Sequence, residues 1–244
     1  MRAFKSDLHI HSCLSPCADL DMSPKAIVER SLEQGLDVIA VCDHNSAENV
    51  AASIRASVKH GLRVLPGIEI SSKEEVHILA IFETVEQALS MQDIVYKHLK
   101  GTNRPELFGD QVIANEYDEV DGFNDRLLIG ATSMGVEKIV QETGRLGGLS
   151  IASHVDRPSF SILGQLGFIP PDLELDALEI SDSSRWEAMR HEDIGVDKLP
   201  VVTSSDAHFL SDIGKVYTLL FLEEPNIEEM RMALSGKSGR KVGN

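Results

Sequence analysis

The sequence predicts an α/β barrel, and three observations support this fold class. The chain has 244 residues, which suits one such barrel and does not require two domains. Short β-rich runs alternate with longer segments of helical periodicity, as in parallel βα units. Side chains that bind metals follow several of these runs, and function in a barrel of this kind lies at the carboxyl ends of the strands.

Eight runs rich in apolar and β-branched residues are predicted to be strands. They span residues 3–9, 37–42, 63–70, 76–82, 148–154, 177–181, 200–205 and 216–222. Several helical segments lead directly into the next run, so the strands are expected to form a closed or nearly closed barrel.

Two helices between the early strands carry recognisable end signals. The first is predicted to begin after Ser23 as N-cap, with Pro24 at its first position, and to end at Gly35. For the second, Asn45 is the predicted N-cap, Glu48 stands at capping-box spacing, and Gly61 closes the helix.

The middle of the chain leaves this regular alternation. Residues 83–101 and 135–148 read as amphipathic helices, but 105–132 alternates poorly and is predicted to be an insertion carrying a hairpin, with its turn at Asp121 and Gly122. Whether the insertion covers the site or lies on the surface is left open. The prediction is a single barrel domain over 1–235 and a flexible tail over 236–244.

Composition restricts the classes of partner. No apolar run approaches the roughly 18 to 20 residues of a membrane span, so no membrane partner is expected. The N-terminal residues do not read as a secretion signal, and three cysteines give no disulfide framework, which favours a reducing cytoplasm. The formal charge of −16 and the lack of a basic patch other than the terminal segment GKSGRK predict that no long nucleic acid is bound.

Six of the nine histidines lie next to predicted strand ends, together with carboxylates that would be costly to bury without a cation. His60, His98 and His191 fall on helices or loops without such companions and are predicted to be structural or exposed. The candidate metal-binding residues are His9, His11, His44, Glu69, His77, His154, Asp206 and His208.

The mixture of ligands indicates the kind of metal. Imidazole with carboxylate suits Zn²⁺, Mn²⁺ or Fe²⁺, whereas an all-oxygen set would favour Mg²⁺ or Ca²⁺. Eight candidate ligands are too many for one tetrahedral ion. Glu69 can bridge two cations, so more than one divalent ion is expected.

The ordered segments DLHIH, CDHN, GIEIS, EVHILA, SHVDRP and SSDAH resemble the motifs of the PHP superfamily, the polymerase and histidinol phosphatase domains. The resemblance extends from about residue 5 to about residue 210. It implies a distorted (β/α)7 barrel with the metal site at the C-terminal ends of the strands, and the activity of a metal-dependent phosphoesterase with two or three divalent ions.

Carried over by position, the resemblance implies three groups of ligands. His9, His11, Glu69 and Asp206 would hold one ion, and Glu69, His77 and His154 a second, while His44 and His208 would belong to a third. The family usually completes the third group with another His or Asp. Here the candidates are Cys17, Asp19 and Asp21, and two ions are therefore better supported than three.

Two further residues are predicted to act in catalysis. Asp43, beside His44, is either an orienting or proton-carrying group or a simple strand-end cap. Arg157 follows His154 by three residues and is expected either to bind phosphate bidentately or to form a salt bridge with Asp156 or another acid. Arg185 and Trp186 are more consistent with packing than with clamping a base or sugar.

The leading functional hypothesis is hydrolysis of a phosphate ester of a small metabolite or short nucleotide, by attack of a metal-bridging hydroxide. An amidohydrolase acting on C–N or C–O bonds and a non-catalytic metal-binding module are the alternatives.

Overall fold

The computed structural model describes residues 1–181, 196 and 199–243. The strands are β1 (Arg2–Ile10), β2 (Val38–Val41), β3 (Arg63–Ser71), β4 (His77–Ile81), β5 (Val112–Ala114), β6 (Val120–Phe123), β7 (Leu149–Ala152), β8 (Ala177–Ile180), β9 (Val201–Thr203), β10 (Thr218–Leu222) and β11 (Lys241–Gly243). The α-helices of these described residues are α1 (Pro24–Glu33), α2 (Val50–Ser57), α3 (Val85–His98), α4 (Pro105–Phe108), α5 (Val136–Arg145), α6 (Ile162–Leu166) and α7 (Ile227–Leu234).

One sheet contains the barrel, in the order β11-β10-β1-β2-β3-β4-β7-β8-β9. The chain after β9 returns to β1, where His11 N–H donates to Ala207 O at 3.0 Å and Ala207 N–H donates to His9 O at 3.3 Å. This bridge brings the last strand back to the first, so β1 to β4 and β7 to β9 nearly close. The predicted distorted (β/α)7 barrel is confirmed.

The expectation that all barrel strands run parallel is wrong for β4. This strand is antiparallel to both β3 and β7, with Ser71 opposite His77 and Ile78 opposite Ala152. The reason is the short connection from β3 to β4, which leaves no room for the crossover that a parallel pair needs. The reversal brings the first residue of β4 to the edge at which β3 and β7 end.

Successive side chains along each strand point alternately into the barrel and toward the helices, so the protein has two hydrophobic cores. In β2, Val38 and Ala40 belong to the cluster inside the barrel, whereas Ile39 and Val41 pack against the helices. Helix α7 closes the end opposite the carboxyl ends of the parallel strands, because Arg231 donates to Gly148 O just before β7 begins. The apolar face of α7 packs on the interior cluster through Ile227, Met230 and Ala233.

The first predicted helix is confirmed. Ser23 Oγ accepts from Ala26 N–H, Pro24 is the first helical residue, and Gly35 follows the helix with a φ of +65°. The N-cap prediction for the second helix is wrong. That helix begins at Val50, and Asn45 instead adopts a φ of +53° and donates from Nδ2 to the carbonyls of residues 128 and 130. Asn45 thereby attaches the insertion to the barrel mouth.

The insertion contains a hairpin, as predicted, formed by β5 and β6. Its turn lies at residues 115–119 and not at Asp121 and Gly122, which lie within β6. Asn115 forms this turn by accepting from the N–H groups of Tyr117 and Glu119, so an Asx-type turn takes the place of the Asp-Gly pair. At the chain end, β11 pairs antiparallel with β10.

Among the described residues, no helix is both long and apolar enough to cross a membrane. The predictions for Arg185, Trp186 and His191 lie outside the described residues.

Candidate metal centre

All eight candidate metal-binding side chains lie at one mouth of the barrel, and Glu69 is at their centre. Its side chain points inward because its neighbours Ile68 and Ile70 pack against the helices. The Glu69 carboxylate oxygens lie close to nitrogens of five histidines: His9 Nε2 at 3.4 Å, His11 Nε2 at 3.5 Å, His44 Nδ1 at 3.0 Å, His77 Nδ1 at 3.0 Å and His154 Nε2 at 3.3 Å.

The two histidines of the DLHIH segment face the same point. His9 Nε2 and His11 Nε2 lie 3.1 Å apart, and Asp206 Oδ1 is 3.3 Å from the first and 3.2 Å from the second. A register shift places three residue steps of β1, from Asp7 to Ile10, against two of β2. Such an irregularity redirects side chains, and here it turns both histidines toward the barrel interior.

A second group of nitrogens lies beside the first. His44 and His208 have ring centroids 4.6 and 4.2 Å from that of His11, and these three residues form a cluster with metal-ligand spacing. Cys17 lines the same cavity. Burial raises the pKa of its thiol, but contacts with His208 and His44 outweigh this and lower the pKa to about 7.

The clusters of ligand-competent atoms found among the described residues contain none of Cys17, Asp19 and Asp21. Asp19 instead accepts from Asp21 N–H at 2.9 Å in an exposed loop. Of the three residues proposed to complete a third group, Cys17 is the one that lines the cavity. His60 is exposed and His98 Nδ1 contacts Ser133 Oγ at 3.0 Å, as expected for residues outside the centre.

Two of the candidate ligands have unfavourable backbone conformations. His154 has a φ of +32° and Asp206 a φ of +50°, values that non-glycine residues rarely adopt. Each such residue costs on the order of 1–3 kcal/mol and is retained only where its surroundings require it. Here the left-handed conformation follows the end of β7 in one case and the end of β9 in the other, and both side chains face Glu69 or His9.

The residues present fit a group of divalent cations. His44 Nδ1 and His154 Nδ1 are buried without a hydrogen-bond partner, although the first lies 3.0 Å from Glu69 Oε2. Buried polar atoms are normally satisfied, so the unpaired His44 Nδ1 facing a carboxylate is consistent with a metal ligand, whereas His154 presents its other nitrogen, Nε2, to Glu69 at 3.3 Å. Imidazole and carboxylate donors together suit Zn²⁺, Mn²⁺ or Fe²⁺.

The electrostatics of the centre keep its carboxylates ionised. Burial alone would raise the pKa of Glu69, but His77, His9 and His44 hold it well below its ordinary value. Burial acts on Asp206 in the same direction, and His9 and His11 again lower its pKa. Both carboxylates therefore stay ionised at neutral pH, as carboxylate ligands of a divalent cation must be.

Glu179 belongs to this site and was missed from the sequence. Its carboxylate accepts from His9 Nδ1 at 3.0 Å and from His154 N–H at 3.1 Å. The residue lies in β8 between Leu178 and Ile180, which pack toward the helices, so Glu179 points into the barrel. A charged residue in the middle of an otherwise apolar strand was the available signal.

Asp43 lies behind the centre and does not line the cavity. It accepts from Ser12 N–H at 2.7 Å, from Ser12 Oγ at 2.6 Å and from Ser15 Oγ at 2.7 Å, and Ser15 Oγ in turn lies 2.9 Å from His11 Nδ1. Of the roles considered for Asp43, this position suits orientation of His11 through Ser15 and not contact with a substrate.

Arg157 lies at the rim of a cavity of about 570 Å³ that opens onto the centre. Its Nη1 donates to Asp206 Oδ2 at 2.5 Å, and the side chain remains 38% exposed. The ion pair considered from the sequence is therefore present, with Asp206 as the acid. The cavity is lined by Cys17, His44, Glu69, His77, Ile129, His154, Arg157, Pro158, Ser159, Phe160, Asp206 and His208.

Comparison with known proteins decides the family. A sequence profile described as PHP domain matches residues 7–146, and one described as PHP-associated matches residues 197–238. The chain belongs to the PHP family. The predicted family is confirmed, and membership of it supports the predicted class of enzyme, a metal-dependent hydrolase of phosphate esters.

Individual relatives are more distant. The chain is 24% identical over 258 aligned residues to the uncharacterized protein YqxK of Bacillus subtilis, covering 99% of this chain and 64% of YqxK. It is 35% identical over 80 residues to a 5'-3' exoribonuclease of Haemophilus influenzae, covering 32% of this chain and 28% of that protein. The PHP chain thus spans less than two thirds of the length of both relatives.

Solved structures of endonuclease Q share the fold. The lesion-specific endonuclease of Pyrococcus furiosus superposes with a TM-score of 0.69 at 21% identity, over 99% of this chain and 58% of that one. Endonuclease Q in complex with a 27-mer duplex substrate carrying an abasic lesion at the active site gives a TM-score of 0.67 at 22% identity, over 98% and 58% of the two chains.

The prediction that no long nucleic acid is bound is wrong, because a protein of this fold holds a DNA duplex substrate at its active site. The prediction relied on the net charge of −16, which sums groups over the whole surface. Charges farther apart than a Debye length of about 8–10 Å are largely screened. The sign of the field at the mouth therefore depends on local groups such as Arg157 and on bound cations, not on the total.

Proposed function

We propose that this PHP protein is a metal-dependent phosphodiesterase that hydrolyses a phosphodiester bond of a nucleic acid or nucleotide. The observation that carries the proposal is Glu69, whose carboxylate lies within 3.5 Å of ring nitrogens of five histidines at the floor of an open cavity. A carboxylate so surrounded suits a bridging position between cations.

The residues of the chain have distinct tasks in this proposal. His9, His11 and Asp206 would hold one cation with Glu69, and His77 and His154 would hold another with the same carboxylate. Divalent ions bound there supply Lewis-acid polarisation of phosphoryl oxygens and make water acidic enough to react near neutral pH. Arg157, exposed at the rim, would bind a phosphate oxygen and orient the ester.

The number of cations is proposed to be at least two, and a third would lie between His44, His208 and Cys17. In this proposal Cys17, which contacts His44 and His208, would supply a thiolate where an oxygen or nitrogen ligand is more usual. A thiolate favours softer ions, so this group supports Zn²⁺ or Fe²⁺ over Mn²⁺ at the third position.

The relatives support a nucleic acid or nucleotide as substrate. Endonuclease Q and the Haemophilus influenzae exoribonuclease both act on nucleic acid according to their names. The walls of the cavity are also partly apolar, with Ile129, Pro158 and Phe160 beside the metal centre. Such walls suit a base or sugar ring better than a densely hydroxylated metabolite.

The test uses protein stripped with a chelator and reloaded with Mn²⁺, Zn²⁺ or Fe²⁺. Substrates are end-labelled single-stranded DNA, RNA, a DNA duplex, an aryl phosphodiester, an aryl phosphomonoester and an aryl amide. We expect diester hydrolysis that needs a metal and is lost in Glu69→Gln. Hydrolysis of the amide alone, or binding of two metals without cleavage of any phosphate ester, would overturn the proposal.

A further inference from the structure

The cavity has an apolar side whose chemistry the metal centre does not explain. Phe160 is 47% exposed and Ile129 is 40% exposed, and both line the cavity that opens onto the centre. Phosphate binding needs charged and hydrogen-bonding groups. The exposed aromatic and aliphatic side chains of this cavity are therefore suited to a part of the ligand other than its phosphate.

Phe160 is in direct contact with the metal centre. Its ring stacks on the ring of His77 with the centroids 4.9 Å apart and an interplanar angle of 17°. One face of the Phe160 ring is therefore covered by a candidate ligand, while nearly half of the residue remains open. The open surface lies beside the position at which Glu69 and His77 would hold a cation.

The backbone holds Phe160 there in an unfavourable conformation. Its φ is +58°, in the left-handed region that bulky residues rarely adopt. The Phe160 carbonyl accepts from His77 N–H at 2.9 Å, which fixes the residue against β4. The next residue, Ser161, donates from Oγ to Arg157 O at 2.6 Å and caps α6, whose first residue, Ile162, is fully buried.

The same turn therefore positions two groups at the cavity. Arg157 begins the turn and Phe160 ends it, with the Ser161 contact joining the two sides. The Arg157 guanidinium, which is proposed to bind phosphate, and the aromatic face of Phe160 therefore lie on one short, hydrogen-bonded segment. Unfavourable backbone conformations are usually retained where function requires them, so the φ of Phe160 supports a functional role for this segment.

We propose that Phe160 is a stacking platform for a nucleobase adjacent to the phosphate that is cleaved. Every nucleobase has a π face, and stacking on an aromatic side chain contributes to binding without selecting a sequence. The inference rests on the proposed function and narrows the substrate to an ester that carries a base next to the reacting phosphate. Phe160 is then a determinant of specificity and not a metal ligand.

The experiment separates stacking from support of His77. Phe160→Leu keeps an apolar side chain and the same backbone restriction but removes the aromatic face, while Phe160→Trp restores one. Phe168→Leu is the matched control, since Phe168 is 52% exposed and does not line the cavity. Metal content of each variant is measured first.

Binding of a nucleoside 5'-monophosphate and of ribose 5-phosphate is then compared by calorimetry with Zn²⁺-loaded protein. Cleavage of a dinucleotide is compared with that of its analogue lacking one base. We expect Phe160→Leu to weaken the base-bearing ligand roughly 5- to 150-fold, the range set by one stacked base, with little change for ribose 5-phosphate. Phe160→Trp should restore binding, and Phe168→Leu should behave as the wild type.

Equal weakening of both ligands, or a drop in metal content that accounts for the loss, would mean that Phe160 only supports His77. The proposal would also be overturned if Phe160→Leu preferred the nucleoside 5'-monophosphate over ribose 5-phosphate by the same factor as the wild type does. If no diester is cleaved by any variant, the proposed function fails, whereas the binding comparison still reports on Phe160.

Discussion

Glu179 Oε2 lies 3.0 Å from Nδ1 of His9, and this contact directs Nε2 of the same ring toward Glu69 and Asp206. A carboxylate that accepts from one ring nitrogen fixes the tautomer, so the other nitrogen is free to bind a metal. The same Glu179 carboxylate accepts from His154 N–H. One side chain outside the ligand set thus orients parts of both groups of ligands that share Glu69.

Replacement of Glu179 should therefore weaken metal binding without removing a ligand. Glu179→Gln keeps the shape but loses the charge that favours a donating Nδ1 on His9. We expect a loss of roughly 10- to 100-fold in metal affinity, the range typical of residues that support a ligand. Titration of the stripped protein with Zn²⁺ against a chromophoric chelator measures it. Glu174→Gln, an exposed change in the loop before β8, is the control and should leave the affinity unchanged.

Glu69→Gln should have a larger effect than Glu179→Gln. The first two predicted groups of ligands both contain the Glu69 carboxylate. Gln cannot supply the negative charge that offsets two cations. We expect the loss of metal affinity to exceed the roughly 10- to 100-fold of a supporting residue, with activity lost in parallel. Elemental analysis of metal content and the diester assay measure the two effects.

His60→Ala is the control for Glu69→Gln, because His60 is exposed and belongs to none of the clusters of ligand-competent atoms among the described residues. It should retain metal and activity. Similar behaviour of the two variants would refute the assignment of the centre.

The sequence could predict the members of the centre because parallel strands present their carboxyl ends at one edge. The motifs around His9, Asp43, Glu69 and Asp206 each follow or end a strand, so the barrel rule alone brought them together. His77 obeys a different rule. It opens β4, and it joins the mouth only because β4 runs antiparallel to its neighbours, a reversal that local apolar patterning does not encode.

What the sequence left hidden were contacts between residues far apart along the chain. Glu179 reaches His9 across a separation of 170 residues, and Asn45 leaves its expected helix cap to hold the insertion through the carbonyls of residues 128 and 130. Propensity and capping signals are local, and tertiary hydrogen bonds of this kind override them. The position of Phe160 was missed for the same reason, since its carbonyl accepts from His77 N–H at the start of β4.

Cys17 should be the reactive cysteine of the metal-free protein. Its pKa is lowered to about 7, whereas burial raises the pKa of Cys13 to about 12 and that of Cys42 well above its ordinary value. Because the thiolate is the nucleophile, alkylation of Cys17 should increase as the pH rises through about 7, while the other two stay protonated and unreactive. Iodoacetamide labelling followed by peptide mass spectrometry measures this.

Bound metal should protect Cys17 if its thiolate is a ligand of the third group. We expect Zn²⁺ to suppress its alkylation, and Co²⁺ to give a thiolate-to-metal charge-transfer absorption in the near ultraviolet. Cys17→Ser should remove that absorption and one equivalent of metal, whereas Cys13→Ser should not. Full labelling of Cys17 in the metal-saturated protein would limit the centre to ligands other than this thiolate.

Arg157 should contribute to substrate binding beyond its ion pair with Asp206. Its guanidinium donates to Asp206 Oδ2 through Nη1, which leaves further N–H groups for a phosphate at the cavity rim. Hydrogen bonds to charged groups contribute about 1.5–3 kcal/mol, so Arg157→Ala should lower kcat/KM of a diester roughly 10- to 150-fold. Arg157→Lys keeps the charge but loses the planar fork, and it should restore only part of the activity.

Inhibition by inorganic phosphate distinguishes this role from simple support of Asp206. If Arg157 binds phosphate, Arg157→Ala should raise the inhibition constant for phosphate while metal content stays the same. Arg55→Ala, which removes an exposed ion pair with Glu116, should change neither value. The opposite pattern, lost metal with an unchanged inhibition constant, would show that the guanidinium only holds Asp206 in its left-handed conformation, because a residue acting through the ligand alone has no contact with the phosphate to lose.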